Sequence, residues 1–174
     1  AAEAGELDEA RSGLRSLAEE LPTQPRDGIW LPAVALASVL SVRLNEPEAA
    51  AGLYSLLTPY AGHVVDFTAP QPVACYGSAS FYLGLLATLT AQWTVAGDHF
   101  NNAIGVHERL EARAFLARTR YEYARMLLAR GQGADRDRAL GLLDRALATA
   151  GTLGMAAVAE GIRQRRAVTD ARRQ

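Results

Sequence analysis

Lysine is absent from the 174 residues, and all eighteen basic side chains are arginine. The chain can therefore offer neither a Schiff-base amine nor the lysine of a phosphate-binding P-loop. With a single cysteine, Cys75, it can form no intrachain disulfide and no cysteine-rich zinc site. A reducing, cytoplasmic setting is expected. Aromatic residues are scarce, at 7% of a chain that is 49% hydrophobic, so the apolar content is largely alanine and leucine. That composition suits closely packed helices better than a β-sandwich. No apolar run reaches the roughly 18–20 residues that span a bilayer, and the N-terminus lacks the basic-then-apolar layout of a signal peptide. No membrane partner is expected. A formal net charge of −1 also argues against broad binding to nucleic acid, which needs a dense cationic surface.

What is present is helical periodicity, punctuated by proline and glycine. After Gly5, residues Leu7, Ala10, Leu14, Leu17 and Leu21 recur three or four apart, and Pro22, Pro25 and Gly28 end that helix. The spacing predicts a helix from Trp30 to Leu44 with Ala33, Leu36, Ala37 and Leu40 inward. A turn at Asn45-Glu46-Pro47 leads to a helix reaching Leu57, with Ala49, Leu53 and Leu56 inward. Residues 58–76, which hold Pro59, Gly62, Pro70 and Pro72, read as a long loop pinned by Val64, Val65 and Phe67. Ser78 or Gly77 caps the next hairpin, 77–110, in which Leu83, Gly84 and Ala87 face Ala96, Phe100 and Ala103. A further hairpin pairs 113–130 with 135–150, setting Ala117, Tyr121, Ala124 and Leu128 against Ala139, Leu143 and Ala146. Gly131-Gln132-Gly133 stops its first helix, and Asp135 or Asp137 caps its second. A closing helix over 155–170 turns Met155, Val158, Ile162 and Val168 inward, and Arg172–Gln174 fray.

Repeated hairpins of this kind predict an all-α, TPR-like right-handed superhelical array of antiparallel helical hairpins, a single repeat domain over 1–174. Its units are a partial repeat at 1–21, then 30–57, 77–110, 113–150 and the closing helix. The alanines that lead the second helices, Ala10, Ala49, Ala96 and Ala139, are 39, 47 and 43 residues apart. A strict tetratricopeptide repeat has a period of about 34, so these repeats are enlarged and irregular. The first helix looks like the second half of a hairpin, so the chain reads as a fragment of a larger protein.

Three segments, Tyr82–Ala87, Ala112–Gly131 and Arg138–Leu147, closing with Leu153-Gly154-Met155, resemble a known family over roughly residues 30–160. It is the TPR-like region on the C-terminal side of large bacterial, mainly actinobacterial, regulators that carry a signalling ATPase domain. In that family the ATPase is coupled to a LuxR-type helix-turn-helix or to a class III nucleotide cyclase. Gln92-Trp93 and Thr94-Val95-Ala96 depart from the family's Gly-Arg type turn and acidic helix start. The resemblance implies a non-enzymatic regulatory or sensing array, without cofactor. Its partners would be a protein segment or other domains of the same polypeptide, a small effector, or a second copy.

The candidate chemistry is thin. His99 and His107 stand too far apart to share one metal ion, and with His63 they read as surface or capping residues. Cys75 has no evident activating cation and reads as an inert thiol. Arg118, Tyr121, Glu122 and Arg125 fall along one helical stripe, which reads either as a surface ion-pair ladder or as the wall of a groove. In a TPR array first helices line the concave groove, where Arg118, Tyr121 and Arg125 would clamp an acidic peptide or a phosphate. Phe81 and Leu85 are the alternative groove positions. Arg163, Arg165 and Arg166 read as solvated charge. The competing expectation is a spacer or oligomerisation module with no ligand groove.

Overall fold

The computed structural model describes residues 2–68 and 72–171, and the side chains of 5–67 and 74–169. Pro70 and the frayed end expected at Arg172–Gln174 lie outside the described residues. The order is α1 (Ala2–Glu20), α2 (Trp30–Leu44), α3 (Pro47–Leu57), β1 (Val64–Thr68), β2 (Pro72–Ser78), α4 (Ala79–Leu89), α5 (Trp93–Arg109), α6 (Arg113–Arg130), α7 (Asp135–Thr152) and α8 (Ala156–Ala171). The fold is mostly helical. Among the described residues no helix is long and apolar enough to cross a membrane. The chain divides into two compact units, Ala1–His99 and Phe100–Gln174, with the boundary inside α5.

Unit one is built around α4, whose residues 79–87 are all buried. Ser78 caps it by accepting the Ser80 N–H, and Tyr82 Oη donates to the Tyr76 carbonyl at 2.7 Å. At the start of α2, Trp30 Nε1 donates to Leu21 O at 2.8 Å, and the Arg26 guanidinium lies over its ring. Arg15 reaches from α1 to the nearly buried Glu46 with a two-bond fork, Nε to Oε2 at 2.9 Å and Nη2 to Oε1 at 3.0 Å. That geometry fixes α1 against the α2–α3 turn.

Several expectations for unit one are corrected. Residues 58–76 are not a loop: a 3-10 turn at Thr58–Tyr60 leads into an antiparallel hairpin that pairs Val64 with Ser78 and Phe67 with Ala74, with two register shifts. The prolines mislead here because Pro72 opens its strand, a position where no inner ladder bond is lost. Buried Val65 holds the hairpin down, with Val64 and Phe67 half-buried. The second correction concerns α2, which buries Trp30, Val34, Ala35, Ala37, Ser38 and Ser41 and leaves Leu36 and Leu40 exposed. Its buried serines donate to backbone carbonyls, Ser38 to Val34 and Ser41 to Ser38, so their burial leaves no hydroxyl unsatisfied. In α3 Leu53 is buried as expected, but Ala50 and Leu57 take the places expected of Ala49 and Leu56, which are half-buried. Of the periodic series at the N-terminal end only Leu14 in α1 and Leu21 in the 3-10 turn that follows it are buried.

Unit two packs α6 on α7 and α7 on α8, with Phe100, Ala103, Ala117, Ala124, Leu143 and Ile162 fully buried. Tyr121, Leu128, Met155 and Val158 are only half-buried, and Val168 is exposed. Gly131 closes α6 in a left-handed conformation. Asp135 does not cap α7: it accepts from Arg130 Nε at 2.7 Å and from the Gln132 N–H at 3.0 Å.

Four helices end the same way. After α2, α4, α5 and α7 a residue with positive φ (Asn45, Ala91, Glu111, Gly154) is followed by an N–H that bonds five residues back. The bonds are Glu46 to Ser41, Gln92 to Ala87, Ala112 to His107 and Met155 to Ala150, all 2.8–2.9 Å. This is the Schellman arrangement, for which glycine is the unstrained residue. Ala91 and Glu111 are exposed and hold left-handed φ of 56° and 52°. A side chain there costs about 1–2 kcal/mol, against which glycine loses part through its freer unfolded state. Ala91→Gly and Glu111→Gly are each expected to stabilise the protein by about 0.5–1 kcal/mol. Thermal melts check this, and a lower midpoint for both variants would contradict it.

Candidate functional site

In unit two, α6 and α8 bound a cleft of about 360 Å³ whose lining includes Arg125, Leu128, Arg136, Arg165, Val168 and Thr169. A second hollow of about 280 Å³, lined by Tyr121, Gly161, Gln164, Arg165 and Val168, shares two of those residues. Three guanidinium groups therefore border a continuous surface whose apolar part comes from Tyr121, Leu128 and Val168.

Each arginine is held differently. Arg125 Nη1 donates to Glu122 Oε2 at 2.9 Å, and its guanidinium carbon stands 5.9 Å from the centre of the Tyr121 ring. Arg136 Nη2 donates to the backbone carbonyl of Thr169, which anchors α7 to α8 without using a carboxylate. Arg165 makes no ion pair among the described residues, although its charge reaches Glu122. Burial pushes the Glu122 carboxyl up, opposed by the charges of Arg125, Arg118 and Arg165. Gly161 leaves room for Tyr121: a Cβ at 161 would stand 3.2 Å from the tyrosine hydroxyl oxygen, which would have to give by a few tenths of an ångström.

Of the residues singled out in the sequence, Tyr121 and Arg125 line these hollows. Exposed Arg118 lies one turn away on α6, outside both linings but within the field at Glu122. Phe81 and Leu85 are packing residues of α4, 2% and 7% exposed, and present no surface to a partner. Arg136, Gly161, Arg165 and Val168 were missed. A signal did exist: neither Arg136 nor Arg165 has an acidic residue three or four positions away, whereas Arg163 pairs with Glu160 at that spacing. Arg166 is paired with Asp144 across to α7. The expected solvated triplet is thus two paired arginines and one that faces the cleft.

The histidines are not all on the surface. His107 is fully buried, with Nδ1 3.1 Å from Thr119 Oγ1, and its pKa is lowered by burial to about 4. His99 bonds Tyr54 Oη through Nε2 at 2.9 Å, and burial lowers its pKa against the opposing charge of Asp98. Exposed His63 packs its ring on Tyr60. Among the described residues no group of three His, Cys, Asp or Glu side chains is placed to hold a metal ion. Cys75 is exposed. The chemistry that the cleft offers is recognition of negative charge beside an apolar surface. No protein-family model, curated protein or solved structure matches this chain.

Proposed function

We propose that this chain is a non-enzymatic, TPR-like interaction module of a bacterial transcriptional or signalling regulator, and that the α6–α8 cleft receives an acidic protein segment. The observation that carries the reading is the convergence of Arg125, Arg136 and Arg165 on one hollow that also presents Leu128 and Val168, with Tyr121 in the adjoining hollow. A guanidinium binds a carboxylate through two parallel N–H bonds, and an apolar floor gives an extended segment somewhere to place its intervening side chains. In a right-handed array of hairpins α6 and α8 are successive first helices, the elements that line the inner wall. The regulatory setting rests on the resemblance of 112–155 to the TPR-like regions of signalling-ATPase regulators. A pure spacer would have no reason to keep Arg136, bonded only to a backbone carbonyl, and Arg165 round a hollow.

The test uses a fluorescently labelled peptide in which aspartate and glutamate alternate with leucine, titrated with the protein by anisotropy. Binding is expected to weaken with salt, because exposed charge pairs are screened. Loss of a charge-assisted hydrogen bond is worth about 1.5–3 kcal/mol, so Arg125→Ala and Arg165→Ala should each weaken binding roughly 10- to 100-fold. No binding, or binding indifferent to both substitutions in folded protein, would remove the cleft from consideration.

A further inference from the structure

The net charge of −1 conceals a division between the two units. Unit one holds four arginines against eleven aspartates and glutamates, a balance of −7, and unit two holds fourteen against eight, a balance of +6. Surfaces of opposite sign attract and orient one another, and surfaces of like sign repel. Pairing of unit one on unit one, or of unit two on unit two, is thus opposed by charge. Pairing of unit one on unit two of another copy is favoured.

The matching surfaces are specific. In unit two, Glu122, Asp135, Asp144 and Glu160 are already bonded to Arg125, Arg130, Arg166 and Arg163, which leaves Arg165 facing the α6–α8 cleft beside Leu128 and Val168. Arg125 gives Glu122 one N–H, and a guanidinium has five. The start of α1 is the reverse of this cleft. Residues 5–10 are all exposed, and the first buried side chain described in α1 is Leu14. Leu7 lies two turns before Leu14 on the same face, yet it is 49% exposed. Glu6 and Glu9, which flank it in sequence, make no ion pair among the described residues. The arginines of α1 do not oppose the match, because Arg11 bonds Asp8 and Glu46, and Arg15 bonds Glu46. Two unpaired carboxylates beside an uncovered leucine are what the cleft is suited to receive. We propose that the acidic segment bound by the α6–α8 cleft is the start of α1 of a second copy, Glu6-Leu7-Asp8-Glu9, which lays Glu6 and Glu9 on Arg125 and Arg165 and Leu7 on Leu128 and Val168. The contact is a helix in a groove, and it rests on the reading of the cleft as the receiver of an acidic segment. It joins different surfaces of two copies, so each pair keeps one of each surface open, and association passes beyond the dimer.

Sedimentation velocity on the whole chain tests it, with reductant present because Cys75 is exposed. Species that grow with concentration and shrink with added salt are expected. An excess of the acidic peptide used to probe the cleft should disperse them. Glu6→Gln/Glu9→Gln and Arg125→Ala/Arg165→Ala should each weaken association at least about tenfold, with helix content checked by circular dichroism. All four side chains are exposed, so both variants should fold. Mixed at a concentration where neither associates alone, the two variants should form a dimer and nothing larger, because each supplies the surface that the other lacks. A symmetric interface gives no such rescue. A monomer at every concentration, association that neither variant weakens, or folded variants that stay apart when mixed would each overturn the proposal. If the peptide still binds the parent in any of those cases, the cleft keeps its acidic ligand and only its source is wrong; if the peptide fails as well, the reading of the cleft falls with it.

Discussion

Replacing Phe100 by alanine is expected to destabilise the protein by about 3–5 kcal/mol, the usual range for emptying a buried aromatic site. Phe100 is fully buried and heads the fully buried side chains by volume among the described residues. Its ring stacks on Tyr123 with centroids 5.4 Å apart and planes at 23°, and Arg138 lies over the Tyr123 ring at 4.9 Å. The cavity would open against the Tyr123 ring, and the new alanine has no side-chain length with which to fill it. Phe100→Leu should fall between parent and Phe100→Ala. Urea unfolding measures both, and a loss below about 1 kcal/mol for the alanine variant would show that the site collapses freely.

Between pH 7 and pH 4.5 the protein is expected to lose roughly 2–3 kcal/mol of stability through His107. Thr119 Oγ1 donates its proton to the Phe115 carbonyl at 2.9 Å, so His107 Nδ1, 3.1 Å away, is the donor to that oxygen. The imidazole is folded in as the neutral ring, with a pKa lowered by burial to about 4. An unfolded histidine takes up its proton near pH 6.5. The unfolded chain therefore binds more protons across the interval: stability is complete above the unfolded pKa and is lost as pH falls toward the folded one. His99, also lowered by burial, acts in the same direction. Glu122 acts in the opposite one, because burial raises its pKa and its folded form protonates first. Asp135, held down by its hydrogen bond from Arg130, contributes only at lower pH, where its unfolded form begins to protonate. Denaturant unfolding at several pH values should show a shallower slope for His107→Asn, whose amide nitrogen keeps a donor toward Thr119. An unchanged slope would sink the assignment.

Element boundaries were legible because proline and glycine mark them. Trp30–Leu44, Pro47–Leu57 and Arg113–Arg130 fall where the pattern puts them, and Ala96, Phe100 and Ala103, read as the inward face of the second helix of their hairpin, are fully buried. The inward face of α2 was not legible, because a helix without charge from Trp30 to Val42 offers periodicity no polar side to measure against. The hairpin at 64–78 was obscured by prolines that read as loop. Half of the candidate site was visible as a stripe on α6. The other half, Arg136 and Arg165, sits on α7 and α8 and joins that stripe only once the helices are packed.

The sequence by itself determined that this is a helical protein, where its helices stop, and which small residues let them touch. Those are local matters, decided by propensity, capping and the spacing of side chains within one turn or two. Only the tertiary structure decided which face of α2 is left exposed, that His107 is sealed from water, and that arginines from three helices share one hollow. Each of these depends on which residues distant in sequence come to lie beside a given side chain, and no periodicity within a single helix carries that information.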